Sequence, residues 1–215
     1  MAIIWKKSSN FALDIAKKVL TTTESIVLKL QRRGDASHVL HTYTRACGRV
    51  NYMVYGAGSK KKSTAIYSPL SLIEVTADIR ADRPLPSVKE ARLIYYIPQT
   101  ADIRRQSVAL FVTEILYNTL RHPMQDEQMF DFLAGTIHDI AEAEDIENVH
   151  LRFLSGFATV LGIGVNEADG ASLLRMPINR KDRQNLIQEW CDYYQLHLED
   201  FRRPKSIDVL TELFD

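Results

Sequence analysis

The sequence predicts an α+β protein, a small closed β-barrel followed by a helical half. Three observations carry this. Five short strand-like runs, separated by turn residues, fill residues 24–97. After Pro98 the apolar period changes from about 2 to about 3.6 residues. The charge divides at nearly the same place. Residues 1–85 hold 14 basic and 6 acidic side chains, a net of +8, and residues 86–215 hold 13 and 21, a net of −8. The formal total is zero. A split of this kind points to a polyanion-facing module joined to an acidic one.

Each element has its own signal. Glu24 to Leu30 is rich in β-formers and ends at Gln31-Arg32-Arg33-Gly34-Asp35. Ser37 to Thr44 follows, and Cys47-Gly48 is the next break. Arg49 to Tyr55 alternates polar with apolar, as a half-buried strand does. Leu70 to Ala77 gives the fourth strand and Val88 to Ile97 the fifth, with Asp82-Arg83-Pro84-Leu85-Pro86 between them. Five such strands suit a small closed barrel. In the second half, Val108, Phe111, Val112, Ile115, Leu116 and Thr119 share one helical face. Met129 to Ile140 and His150 to Leu161 repeat the pattern, the latter stopped by Gly162 and Gly164. Residues 163–180 read as irregular. Asp182 is the expected N-cap of a helix through Ile187, Trp190 and Tyr194, and a short helix from Ile207 to Phe214 follows Pro204.

Composition excludes several classes. Apolar residues make up 46% and charged residues 25%, which leaves no room for a collagen-like or low-complexity chain. Cys47 and Cys191 are the only cysteines, too few for a disulfide framework or a four-thiolate zinc site, and fit a reducing cytoplasm. No stretch approaches the roughly 18 apolar residues of a membrane span. Lys6, Lys7, Asp14, Lys17 and Lys18 interrupt any signal-peptide core. Phe11 to Ala16 reads either as an amphipathic turn or as part of a tail.

The chemistry-bearing motif is the loop Gly56-Ala57-Gly58-Ser59-Lys60-Lys61-Lys62-Ser63. It lacks phosphate-loop spacing, and a strand rather than a helix follows it. Three adjacent ammonium groups repel one another, and a polyphosphate relieves that repulsion; a solvated hairpin tip is the plainer reading. Arg32, Arg33, Arg45 and Arg49 lie in turns or at strand ends of the same barrel, interleaved with His41, Tyr43, Tyr52 and Tyr55. Cations that track a backbone and aromatic faces that stack bases are what single-strand binding requires. Alternation sets Tyr52 against Met53 and Tyr55, so only one of these sets can face a strand. His138, Glu142 and Asp131 share helical spacing, with His150 further on, but there is no His-Glu-x-x-His and a polar helix edge is the better reading. Cys47 with His41 has nothing else to make it a nucleophile. No catalytic residue, metal or cofactor is expected.

The motifs taken in order resemble the bacterial recombination-mediator family RecO. Leu20 to Leu28, Gly34-Asp35-Ala36-Ser37, Tyr43-Thr44, Gly48-Arg49 and Val54 to Lys62 carry the first part of the likeness. Pro69 to Val75, Val88 to Arg92, Ile103 to Phe111, Glu114 to Tyr117, Tyr193-Tyr194 and Lys205 to Phe214 continue it. The resemblance implies an N-terminal OB-fold over 20–97 and a helical domain over 98–215, after an extension at 1–19. It implies binding to single- and double-stranded DNA, annealing of complementary strands and loading of RecA. RecR and the acidic C-terminal tail of the single-stranded-DNA-binding protein are the implied partners, with a cytoplasmic, nucleoid-associated location and no membrane. Some members carry a four-cysteine zinc module; Gly164 to Arg180 has no cysteine, so no zinc is expected. Residues 1–18 precede the likeness, either as an extension or through a start codon set upstream, and are expected to be dispensable for annealing. Arg32, Arg33, Arg49, Lys60, Lys61 and Lys62 are the expected phosphate contacts, and the tail is expected in an apolar groove between C-terminal helices. Two other readings stay open: a module for acidic protein tails that meets DNA incidentally, and a metal enzyme built on His138.

Overall fold

The computed structural model describes residues 19–56, 64–80, 83–98, 102–164 and 178–214. Strands β1 (Val19–Arg32), β2 (Ser37–Thr44), β3 (Gly48–Tyr55), β4 (Leu72–Ile79) and β5 (Ser87–Tyr95) close a barrel in the order β1-β2-β3-β5-β4. All pairings are antiparallel except β3 with β5, which are parallel and meet at Met53 and Ser87. This is the five-stranded arrangement of an OB-fold. Helices α1 (Ile103–Thr119), α2 (Glu127–Glu142), α3 (Ile146–Val160), α4 (Arg180–His197) and α5 (Ile207–Leu213) follow, so the class is α+β.

Two cores meet at β1. Val27, Leu40, Tyr52, Val54, Ile73 and Val75 fill the barrel, and Tyr67 joins them from a 3-10 turn at Ala65–Tyr67. On the other side, Ile26, Leu28 and Tyr43 pack into the helices' core with Phe111, Ile115 and Phe130. Ile26, Val27 and Leu28 are therefore all buried, because β1 is covered on both faces. A register shift between Val27 and Lys29 ends that covered stretch. Gly48, at φ +67°, opens β3 where a Cβ would stand 2.2 Å from the Met124 carbonyl oxygen. Only glycine lets the barrel touch the α1–α2 connection there.

Three elements begin elsewhere than the sequence suggests, the first being β1, which starts at Val19 rather than Glu24 because Val19–Thr23 pair with β4. Leu70 sits at φ +59°, buried, and donates its N–H to Val27, so β4 starts at Leu72. Asp182 is not the N-cap of α4. Asn179 is, accepting from the Asp182 N–H at 3.0 Å and donating back to its carboxylate at 2.6 Å. Asp182 thus holds the third helical position of a reciprocal cap. The other helix ends are tied down too. Asp102 and Asp126 cap α1 and α2. Arg105 bonds the carbonyls of Ile140 and Ala143 at the end of α2. Glu114 accepts from the Lys205 and Ser206 N–H groups and the Ser206 hydroxyl, fixing the start of α5.

His150 lies in the helical core rather than at a site. It is fully buried between Phe111 and Phe214, with no partner for either ring nitrogen. Burial, followed by Arg183 and Arg152, depresses its pKa to about 3. An unfolded histidine binds its proton near pH 6.5, so this group's stabilising effect is complete above that value and falls away between 6.5 and 3. We expect a loss of about 2 kcal/mol between pH 7 and pH 5 from this residue alone. Urea midpoints at the two pH values should show a smaller drop in His150→Leu than in the unaltered protein. Gly48→Ala should cost about 2–3 kcal/mol by the same measurement, since it adds strain at positive φ and a backbone clash.

Candidate nucleic-acid interface

Strand alternation sorts the barrel's aromatic residues. Tyr52 points inward and is buried, and burial pushes its hydroxyl up to about 12. Tyr43 is buried under the helices. Tyr55, 52% exposed, stands on the outer face with Arg49, Asn51 and Met53, two residues apart along β3. The neighbouring strands complete the rows. Val39 lies beside Met53, His41 beside Asn51, and Lys29 beside His41.

At one end of this face is a groove of about 380 Å³. Arg33 reaches it from the β1–β2 turn, Met53 and Tyr55 from β3, and Arg83, Pro84 and Leu85 from the β4–β5 connection. The first turn is set by Ser37, whose carbonyl accepts from the N–H groups of Arg33 and Gly34. Neither Arg33 nor Arg83 makes an ion pair among the described residues. Two unneutralised guanidinium groups beside an exposed tyrosine suit a phosphate backbone and a stacked base. The face of strands 2 and 3, with the β1–β2 and β4–β5 loops, is where OB barrels take oligonucleotides.

At the other end, about 20 Å away along β3, the barrel meets α1. The Arg49 guanidinium lies 4.7 Å from the Tyr117 ring centre and donates to the Leu120 carbonyl at 3.3 Å. Lys29 Nζ lies 5.0 Å from the same ring centre, and the His41 ring meets it edge-on at 5.4 Å. His41 also contacts Asn51 Oδ1 at 2.7 Å and Gln31 Oε1 at 3.4 Å. Burial lowers the Arg49 pKa, opposed by the Tyr117 hydroxyl. Burial lowers that of His41 as well, Asn51 opposes it, and the charges of Arg49 and Lys29 add to the depression.

The expected phosphate contacts are thus distributed. Arg33 is in the groove. Arg32 is exposed and turned to its own turn, 3.1 Å from the Gly34 carbonyl and 3.5 Å from Asp35. Arg49 is at the seam with α1. Lys60, Lys61 and Lys62 lie outside the described residues. Arg45 is committed elsewhere, bonded at 2.7 Å to both Glu24 and Asp131 and packed on Phe130. Sequence reasoning passed over Arg83 and Tyr117. Arg83 could have been found as the basic residue of the β4–β5 connection once five strands were ordered as a barrel. Tyr117 sat in a helical motif, with no signal that it faced the barrel.

The described residues of the helical half gather no metal-binding or nucleophilic cluster. His138 is half-exposed, 4.0 Å from Glu142 and tilted against the Tyr95 ring. Among the described residues no three His, Cys, Asp or Glu side chains could hold a metal. Burial raises the Cys47 thiol and pushes that of Cys191 up to about 11, which is unfavourable to thiolate chemistry. No described helix is long and apolar enough to cross a membrane.

Known proteins match both halves. The family description Recombination protein O N terminal matches residues 18–97, and Recombination protein O C terminal matches residues 100–173. The chain is 31% identical to a DNA repair protein RecO of Phocaeicola vulgatus, across 91% of this chain and all of that protein. The chain belongs to the RecO family. A Bacteroides fragilis RecO is 30% identical and one from Porphyromonas gingivalis 27%, each across 92% of this chain and the whole relative. RecO proteins are DNA repair proteins, a recombination-mediator family and not a known family of enzymes.

A titration follows from the seam geometry. His41 should titrate below 6.5 in proton NMR, because burial and two neighbouring cations oppose its charged form. Lys29→Gln removes one of those cations and should raise the midpoint; an unmoved midpoint would separate Lys29 from the histidine's surroundings.

Proposed function

We propose that this protein is a non-enzymatic recombination mediator that binds single- and double-stranded DNA on the outer face of its barrel. The carrying observation is the groove of Arg33, Tyr55 and Arg83 at the place where this barrel topology accepts oligonucleotides. Its cations neutralise phosphates of two strands and lower their mutual repulsion, so complementary strands meet at less electrostatic cost. Annealing of this kind makes and breaks no covalent bond. Arg32, Lys60, Lys61 and Lys62 extend the phosphate contacts beyond the groove. Loading of RecA onto coated single strands, in partnership with RecR, is the outcome in a cytoplasmic, nucleoid-associated setting.

The acidic tail of the single-stranded-DNA-binding protein fits a second groove, of about 620 Å³. It lies between the barrel and the helices rather than between helices alone. Leu30, Pro69, Leu110 and Val209 give it apolar walls, with Lys29 and Lys205 at its edge. Its one carboxylate, Glu114, accepts from the start of α5 and is outnumbered by Lys29 and Lys205, so the lining is positive on balance. This groove also favours the second reading, a module for acidic tails that meets DNA incidentally.

Binding to naked fluorescent oligonucleotides at several salt concentrations separates the two. Tyr55→Ala should weaken binding by about 1–3 kcal/mol, roughly 5- to 150-fold. Arg33→Ala and Arg83→Ala should each reduce the slope of log affinity against log salt by about 0.7. Changing Lys60, Lys61 and Lys62 to Glu should slow annealing of complementary strands, with or without coating protein. Affinity indifferent to salt and to all these changes would leave the tail-binding module as the function.

A further inference from the structure

Arg49 is partly buried, yet no carboxylate pairs with it or with Lys29 among the described residues. A guanidinium withdrawn from water without a counter-charge is costly. The Tyr117 ring and one backbone carbonyl compensate it only in part. A second cation is held against the same ring, and a histidine meets its edge. Such an arrangement is short of one anion.

Resting on the DNA-binding reading above, we propose that Lys29, Arg49 and His41 around Tyr117 form a phosphate subsite for the polynucleotide, so that α1 completes the barrel's binding face. Lys29 and Tyr117 also line the groove proposed for the acidic tail, so the two ligands compete at this point, and continuity favours a polynucleotide phosphate over a peptide carboxylate here. Arg49 stands on the same outward row of β3 as Asn51, Met53 and Tyr55, so one strand can run from the Arg33–Arg83 groove to the seam. The path of about 20 Å is within the reach of a barrel footprint of about 4–16 nucleotides.

The subsite has a signature that a merely structural seam lacks. His41 is faced by Lys29 and Gln31 from β1, by Arg49 and Asn51 from β3, and by Tyr117 from α1, with no carboxylate among them. A phosphate placed there favours the protonated imidazole. Binding then takes up a proton, and affinity rises as pH falls through the histidine's range.

The test is fluorescence anisotropy of the full chain with a labelled oligothymidylate, across salt and from pH 5.5 to 8. Lys29→Gln should reduce the salt slope by about 0.7, and Lys29→Arg should restore it. His41→Asn should flatten a pH dependence that reaches up to about tenfold for each unit by which binding raises the histidine's pKa. Arg49→Gln should act as Lys29→Gln does, and the exposed Lys29 provides the test if that variant folds poorly. If Lys29→Gln and His41→Asn bind as the unaltered protein does while Tyr55→Ala loses affinity, the subsite is refuted and the barrel reading stands. If an acidic apolar peptide, and not the oligonucleotide, shifts the His41 titration, the anion is a carboxylate and the proposal is likewise overturned. If the unaltered chain binds no oligonucleotide at low salt, the barrel reading itself fails.

Discussion

The burial of β1 on both faces is the constraint on which the rest depends. Ile26 and Leu28 belong to the helices' core, and Val27, between them, belongs to the barrel's. No shift of one residue is tolerated, since it would exchange the two sets. The helices are thereby held to one end of the barrel, over Tyr43 and against the Gly48 turn. The outer face beyond that contact, at Arg33, Met53 and Tyr55, meets no helix among the described residues. The location of the candidate interface is thus a consequence of packing before it is a matter of charge.

Much of this fold was legible because its signals are local. Alternation in Arg49–Tyr55, the punctuation at Gly34-Asp35 and Cys47-Gly48, and the 3.6-residue periods of α1 to α3 depend on neighbours a few residues away. The misplacements have nonlocal causes. Leu70 reads as a strand residue by propensity, but it donates to Val27 and turns to positive φ to do so. Asp182 reads as a cap by type, but Asn179 three residues earlier can make the same bond and be bonded in return. The site was half legible for the same reason. Arg33 and Tyr55 could be suggested by strand and turn patterns. Their meeting with Arg83, and the approach of Tyr117 to Lys29 and Arg49, follow from strand order and helix docking.

Counting cations points to the half of the chain that holds the candidate interface, but not to which of its cations are unpaired. Arg45, Arg80 and Arg92 all lie in or beside barrel strands, and all are paired with carboxylates. Arg45 is a clasp between Glu24 of β1 and Asp131 of α2, so its chemistry is structural although its sequence setting resembles that of Arg49. What distinguishes a binding cation here is the absence of a partner, and partners are set by tertiary contact.

The acidic surplus of the helical half bears on the same point. It could have neutralised the barrel's face, which would have left little for a polyanion to gain. Four of its carboxylates instead pair within that half, Asp102 with Arg104, Asp145 with Arg152, Asp192 with Arg203 and Asp200 with Arg121. Among the described residues only Asp131 is bonded across to a barrel cation in this way, and that cation is the clasp itself. Exposed pairs of this kind contribute little to stability. Their consequence is electrostatic: these four carboxylates are engaged locally and are not available to the barrel's unpaired Arg33 and Arg83. A chain with zero formal charge can therefore still attract a polyanion to one face, provided its unpaired carboxylates lie away from that face.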